Sequence, residues 1–193
     1  MHSFSLGSPN ASIIVYVEKA PPLDKLWGDM PLNGSNTPLS SEEIKAIGEV
    51  GGNGWRKVFN VYAKLLHALP ENSPLRPKGF ETWQAYRDNE LLQVSSNTRL
   101  CFGHHHLQLP TKNHQPFEHQ IHLIAGKTHA NQLGIATECV WLDHEFAKHP
   151  TMPLIVCPYF DYRQLSNNKI DVLIGLMQSL EHQQHDNFIN HLE

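Results

Sequence analysis

The chain has 193 residues, a length that suits one domain spanning 1–193. Apolar residues make up 40% and charged residues 18%, which excludes disordered, collagen-like and coiled-coil classes. Fifteen Lys+Arg against 19 Asp+Glu leave a net charge of −4, so the global basic excess that a dedicated duplex-DNA binder uses to displace counterions is missing.

The first element is a β-branched run at 12–18 (SIIVYVE), read as a strand. Residues 19–40 hold four prolines and two glycines and read as a long irregular loop, of the kind that tends to be functional or to cover something. Ser40 followed by Glu43 fits a capping box, so a short helix should start there and stop at Gly51-Gly52. From Gly54 to Leu69, Trp55, Val58, Phe59, Tyr62, Leu65, Leu66 and Leu69 recur at spacings of three and four, which predicts a helix ended by Pro70. A Pro-rich linker covers 70–79. A second helix is expected over 80–94 with Phe80, Trp83, Leu91 and Val94 inward.

The pattern then changes to short apolar runs. Segments 99–103, 120–125, 139–143 and 154–157 read as strands buried on both faces. GKTHANQLGI, between the second and third of them, reads as a turn and short helix. The segment 167–192, capped by Ser166 or Asn167, reads as a long helix with Ile170, Leu173, Ile174, Met177 and Leu180 as its buried stripe. Strands separated by helices predict a three-layer α/β sandwich: a four- to five-stranded, mainly parallel sheet with helices on both faces.

Cys101, Cys139 and Cys157 form no CxxC, and each sits in an apolar run, as reduced packed thiols do. The start of the chain lacks the positive and apolar regions of a signal peptide, and no apolar run approaches ~20 residues. The expectation is a cytoplasmic protein with no membrane span.

In sheets of this kind, ligands gather outside the carboxyl ends of the strands. That rule selects Glu18 and Lys19, Gly103 to His106, Gly126 to His129, Asp143 and His144, and Pro158 to Asp161. His104 and His106 are two apart, so in extended backbone they share a face; with Asp143 or His144 they are candidate ligands for zinc or another divalent metal. Gly126-Lys127-Thr128 resembles the end of a phosphate-binding loop, but Ile121 stands where the earlier glycine belongs, so a polyphosphate cannot be wrapped. A single anion held by Lys127, Thr128 and backbone N–H groups is compatible with the segment. Trp27, Tyr159 and Phe160 are candidate stacking residues. There is no GxSxG, and Cys157 is a nucleophile only in an electropositive setting.

The strand, glycine turn and helix of IHLIAGKTHANQLG, followed by the strand, loop and final helix of LIVCPYFDYRQLSNNKIDVLIGLM, resemble the layout of the uracil-DNA glycosylase superfamily. The resemblance covers 12–20 and 98–180 and concerns the order of elements. It places Cys157-Pro158-Tyr159 where that family has a His-Pro-Ser type loop, and the segment after the first strand where it has a water-activating loop. Neither motif is matched, so the resemblance implies a fold and assigns no catalytic residue.

The leading expectation is a protein binding a nucleobase, nucleotide or small anion at the carboxyl edge, through Glu18, Lys127, Thr128, His129, Tyr159, Phe160 and Asp161. One rival is a metal-dependent hydrolase built on His104, His106, Asp143 and His144. Another is a non-enzymatic interaction module that uses the 19–40 loop and the polar end of the last helix to contact a protein.

Overall fold

The computed structural model describes residues 4–28, 36–103 and 120–190, with side chains as far as 181. In chain order the elements are β1 (Ser5–Gly7), β2 (Ile13–Val17), α1 (Asp24–Trp27), β3 (Asn36–Thr37), α2 (Ser41–Val50), α3 (Gly52–His67), α4 (Trp83–Asn89) and β4 (Thr98–Phe102). Then follow β5 (Ile121–Ala125), α5 (Lys127–Gln132), a 3-10 turn (Ile135–Thr137), β6 (Val140–Trp141), β7 (Ala147–Lys148), β8 (Leu154–Cys157) and α6 (Asn167–Asn190).

The protein is α/β, with one eight-stranded sheet in the order β3-β1-β4-β2-β5-β8-β7-β6. This corrects the expected four to five strands. The four central strands, β4, β2, β5 and β8, are all parallel. The edges make the sheet mixed: β1 is antiparallel to β4, β7 to β8 and β6 to β7, while β3 runs parallel to β1. The four edge strands have only two or three residues each, too few to show a period of two in the sequence. The strand expected at 139–143 shrinks to Val140–Trp141 because Asp143 Oδ1 accepts the backbone N–H groups of Glu145 and Phe146, both at 2.7 Å, and turns the chain.

The continuous apolar runs of the central strands reflect burial on both faces. Ile13, Val15 and Val17 of β2 belong to the large core shared with α2, α3 and α6. Ile14 and Tyr16 belong to a second cluster, with Ala130 of α5 and Ile135 and Ala136 of the 3-10 turn. Tyr62, at the centre of α3, donates its hydroxyl to the Ile13 carbonyl at 3.0 Å and so pins the helix to the sheet. The capping box of α2 is formed: Ser40 Oγ accepts from Glu43 N, and Ser40 N donates to Glu43 Oε2. All five stripe residues of α6 are buried.

The helix expected over 80–94 is shorter. Thr82 caps it, accepting from the Ala85 N–H, and it ends at Asn89. Leu92 then adopts a left-handed φ of +58°, and its N–H donates to Thr98 Oγ1 at 2.9 Å, which turns the chain into β4. Val94 is consequently 74% exposed rather than inward, and Tyr86 takes the core position.

Candidate functional site

The chain leaves β2 for β4 on one side and then returns across β2 to β5 and β8 on the other. The order reverses between β2 and β5, and a crevice outside the carboxyl ends of these strands is the place where such sheets receive ligands. Glu18 follows β2, Gly126 follows β5 and Pro158 follows β8.

Gly126 brings two of these loops together. Its φ of +104° is a backbone region that side-chain-bearing residues avoid, and its N–H donates to the Cys157 carbonyl at 2.8 Å. A Cβ added there would lie 4.0 Å from Tyr159 Cβ, so the glycine turn runs alongside the Tyr159 side chain. Tyr159 is half-buried. Burial first, then the Asp161 and Glu18 carboxylates, push its phenol above the usual range.

The two carboxylates are held from different elements. Glu18 Oε1 accepts from Gln132 Nε2 of α5 at 3.3 Å. Asp161 Oδ2 accepts from Lys57 Nζ of α3 at 2.8 Å, and Oδ1 accepts the Arg163 N–H at 2.9 Å. Burial pushes the Asp161 carboxyl upward, but these hydrogen bonds and the two cations hold it below its usual value. Lys57 also lies 4.9 Å from the centre of the Tyr162 ring. Sequence reading missed both holders. Lys57 and Gln132 sit on helices off the apolar stripe; α5 starts directly after β5, which is a signal for Gln132, whereas α3 follows α2 and nothing local pointed to Lys57.

Other expected site residues are placed differently. Phe160 is not a stacking residue: it is fully buried, with its ring edge-on to Tyr62 at 5.7 Å. Lys127 is exposed and lies over the Trp141 ring at 4.2 Å, so its ammonium faces the β6–β7 hairpin rather than Tyr159. Thr128 is exposed, and His129 is on the buried face of α5. Asp143 is engaged in its turn and His144 is exposed at the same hairpin tip, 3.7 Å from Glu145. His104 and His106 lie outside the described residues. Among the described residues, no group of three His, Cys, Asp or Glu is placed to hold a metal ion.

Cys157 is fully buried, its thiol directed at the Ile124 carbonyl 3.7 Å away and pushed well up by burial. This is a packed thiol rather than an activated one. Trp27 packs partly buried against the large core, as does Trp83. Among the described residues, no helix is long and apolar enough to cross a membrane.

Neither a curated protein nor a solved structure matches the chain. A family model does match, over residues 4–178, so its span runs from the first strand well into α6 and takes in the whole sheet and both carboxylate holders. On that match the chain belongs to the family of unknown function DUF6942.

Proposed function

We propose that the carboxyl edge of the sheet binds a small planar heterocycle of nucleobase type, with Tyr159 as the stacking surface and Glu18 and Asp161 as acceptors for ring N–H groups. The observation that carries this reading is that Gly126, after β5, runs beside the half-buried Tyr159, after β8, at the sheet edge, with the Glu18 and Asp161 carboxylates close enough to act on its phenol. An aromatic ring with carboxylates in its neighbourhood suits a ligand with an aromatic face and donor edges. The anion-binding part of the expectation has less support, because Lys127 is turned to Trp141 and the nearest groups here are acidic.

The reading is one of binding. The layout resemblance to the uracil-DNA glycosylase superfamily remains a proposal about fold, consistent with the sequence of last strand, loop and final helix. Its chemistry would need a group that stabilises a developing anion at position 157, and the buried Cys157 thiol offers none.

Titration of the full chain with purine and pyrimidine bases, followed by backbone amide resonances, tests the proposal. Saturable shifts centred on residues 18, 126 and 159, weakened at least tenfold in Tyr159→Ala, are the expected result. Absence of saturable shifts at those positions across the set of bases would overturn it.

A further inference from the structure

A second feature lies away from the sheet edge. A cavity of about 190 Å³ opens between α2, α3 and α4. It holds roughly six waters' worth of volume and falls below the ~300 Å³ at which drug-sized pockets begin, so its occupant is small. Ile44 and Phe59 form its apolar floor; both are nearly fully buried, so only a small patch of each meets the opening.

The polar wall is charged, and its charges are unequally engaged. Arg87 Nε donates to Asp88 Oδ1 at 2.8 Å and a terminal nitrogen to Oδ2 at 3.1 Å, while its other terminal nitrogen donates to Asn60 Oδ1 at 2.5 Å. Arg87 and Asp88 therefore neutralise each other, and the guanidinium is fixed in place beside the Trp83 ring. Arg56 gives one terminal nitrogen to Asn53, and its remaining donors meet no other hydrogen-bond acceptor among the described residues. Lys45 and Glu49 stand one helical turn apart on the same face of α2. Three cations against two carboxylates leave the wall with an excess of one positive charge: with Arg87 set against Asp88, Arg56 and Lys45 face Glu49.

Gly48 shapes the opening. It is buried within α2, and a Cβ there would meet Arg56 Cγ at 3.0 Å. The missing side chain is what lets the Arg56 stem lie across α2 and bring its head to the rim of the cavity.

We propose that this three-helix cavity is a binding site for a small organic carboxylate, its carboxylate on Arg56 and Lys45 and its apolar body against Ile44 and Phe59. The guanidinium fork matches a planar carboxylate, and the apolar floor favours a carboxylate with a hydrocarbon body over a bare inorganic anion. The site is separate from the sheet edge: on α3 it uses Arg56, Phe59 and Asn60, whereas the edge uses Lys57.

The test uses the full chain and benzoate as the probe, with chloride and inorganic phosphate at matched ionic strength as comparisons. The readouts are the Ile44 methyl and Phe59 ring resonances. The expected result is a saturable shift of both with benzoate only, and at least tenfold weaker binding in Arg56→Gln, whose circular dichroism should match the native chain. Lys45→Gln, at an exposed position, gives a second variant with the same expected direction. Equal shifts with phosphate would overturn the carboxylate assignment. Shifts confined to residues 18, 126 and 159, or benzoate affinity unchanged in both variants, would overturn the site itself.

Discussion

Lys57 on α3 and Asp161 beyond β8 are 104 residues apart in the chain and 2.8 Å apart at Nζ and Oδ2. Both side chains are about one-fifth exposed, so the pair ties the helical layer to the loop that carries Tyr159 while solvent still screens it. Its worth to stability is on the order of 1 kcal/mol. The Asp161 carboxyl is held below its usual value in the folded chain. Its contribution is therefore complete above the unfolded value of ~3.9 and disappears as pH falls through the lower folded value. Asp161→Asn should lower the urea midpoint at pH 6 and converge with the native chain near pH 2. An unchanged midpoint at pH 6 would show that the pair is energetically neutral.

The buried pair Tyr16 and His122 should dominate a second pH response. The Tyr16 hydroxyl lies 2.9 Å from His122 Nδ1, and the two rings are stacked at 5.8 Å. Burial pushes the phenol far up, so it stays protonated, and it shares one hydrogen bond with His122 Nδ1 whose direction follows the imidazole tautomer. Burial, with a smaller effect from Arg99, brings His122 down to about 4. The unfolded chain takes up a proton near pH 6.5 that the folded chain refuses until about pH 4, so stability declines across that window and levels off below it. The full loss from this one group is roughly 3 kcal/mol at 1.36 kcal/mol per unit. His122→Gln keeps an acceptor for Tyr16 and cannot titrate. Chemical denaturation at pH 7 and pH 4.5 should show a smaller difference for the variant than for the native chain; equal differences would assign the pH response to other histidines.

Much of the fold was legible because the central strands are buried on both faces. The runs at 13–17, 121–125 and 154–157 carry the signal of complete burial, and the periodicity of α3 carries that of a single buried face. The capping box at Ser40 and Glu43 is a purely local interaction and could be read from spacing alone. What escaped depended on long-range pairing. β1 exists because Ser5, Leu6 and Gly7 find Cys101, Leu100 and Arg99, and nothing within three residues announces that partner. The site was half legible. The carboxyl-edge rule selected Glu18, Tyr159, Phe160 and Asp161 alike, because it does not tell inward from outward, and Phe160, next to Tyr159, faces the core. The three-helix cavity was invisible, because Arg56 and Arg87 look like ordinary solvated helix residues until α2 and α4 are packed beside α3.

Gly48→Ala should move stability and cavity binding in opposite directions. A buried glycine inside α2 costs helix stability, and alanine recovers up to about 1 kcal/mol. The added Cβ meets only the Arg56 side chain, whose stem is flexible and whose residue is exposed, so the clash is relieved by moving Arg56. That movement takes the guanidinium from the rim of the cavity. The expected outcome is a higher melting temperature with weaker benzoate binding. A higher melting temperature with undiminished binding would show that Arg56 acts from another position; a lower one would show that Arg56 cannot give way.

Tyr159 and Phe160 are adjacent in sequence and should respond in contrary ways to the same substitution. The Phe160 ring is fully buried in the large core and meets Tyr62 edge-on. Phe160→Ala leaves a cavity beneath the loop and should cost about 3–5 kcal/mol. The Tyr159 ring is half-buried, packs in part against the large core and lies beside Gly126. Tyr159→Ala should cost about 1 kcal/mol or less through lost apolar contact and leave the circular dichroism spectrum unchanged. Nucleobase binding should follow the reverse order, weakened at least tenfold in Tyr159→Ala and, in whatever fraction of Phe160→Ala remains folded, retained. Denaturant midpoints and base titrations on the two variants decide the matter. Retained base binding in a well-folded Tyr159→Ala would remove Tyr159 from the site, while a large destabilisation of that variant would make it a structural residue like its neighbour.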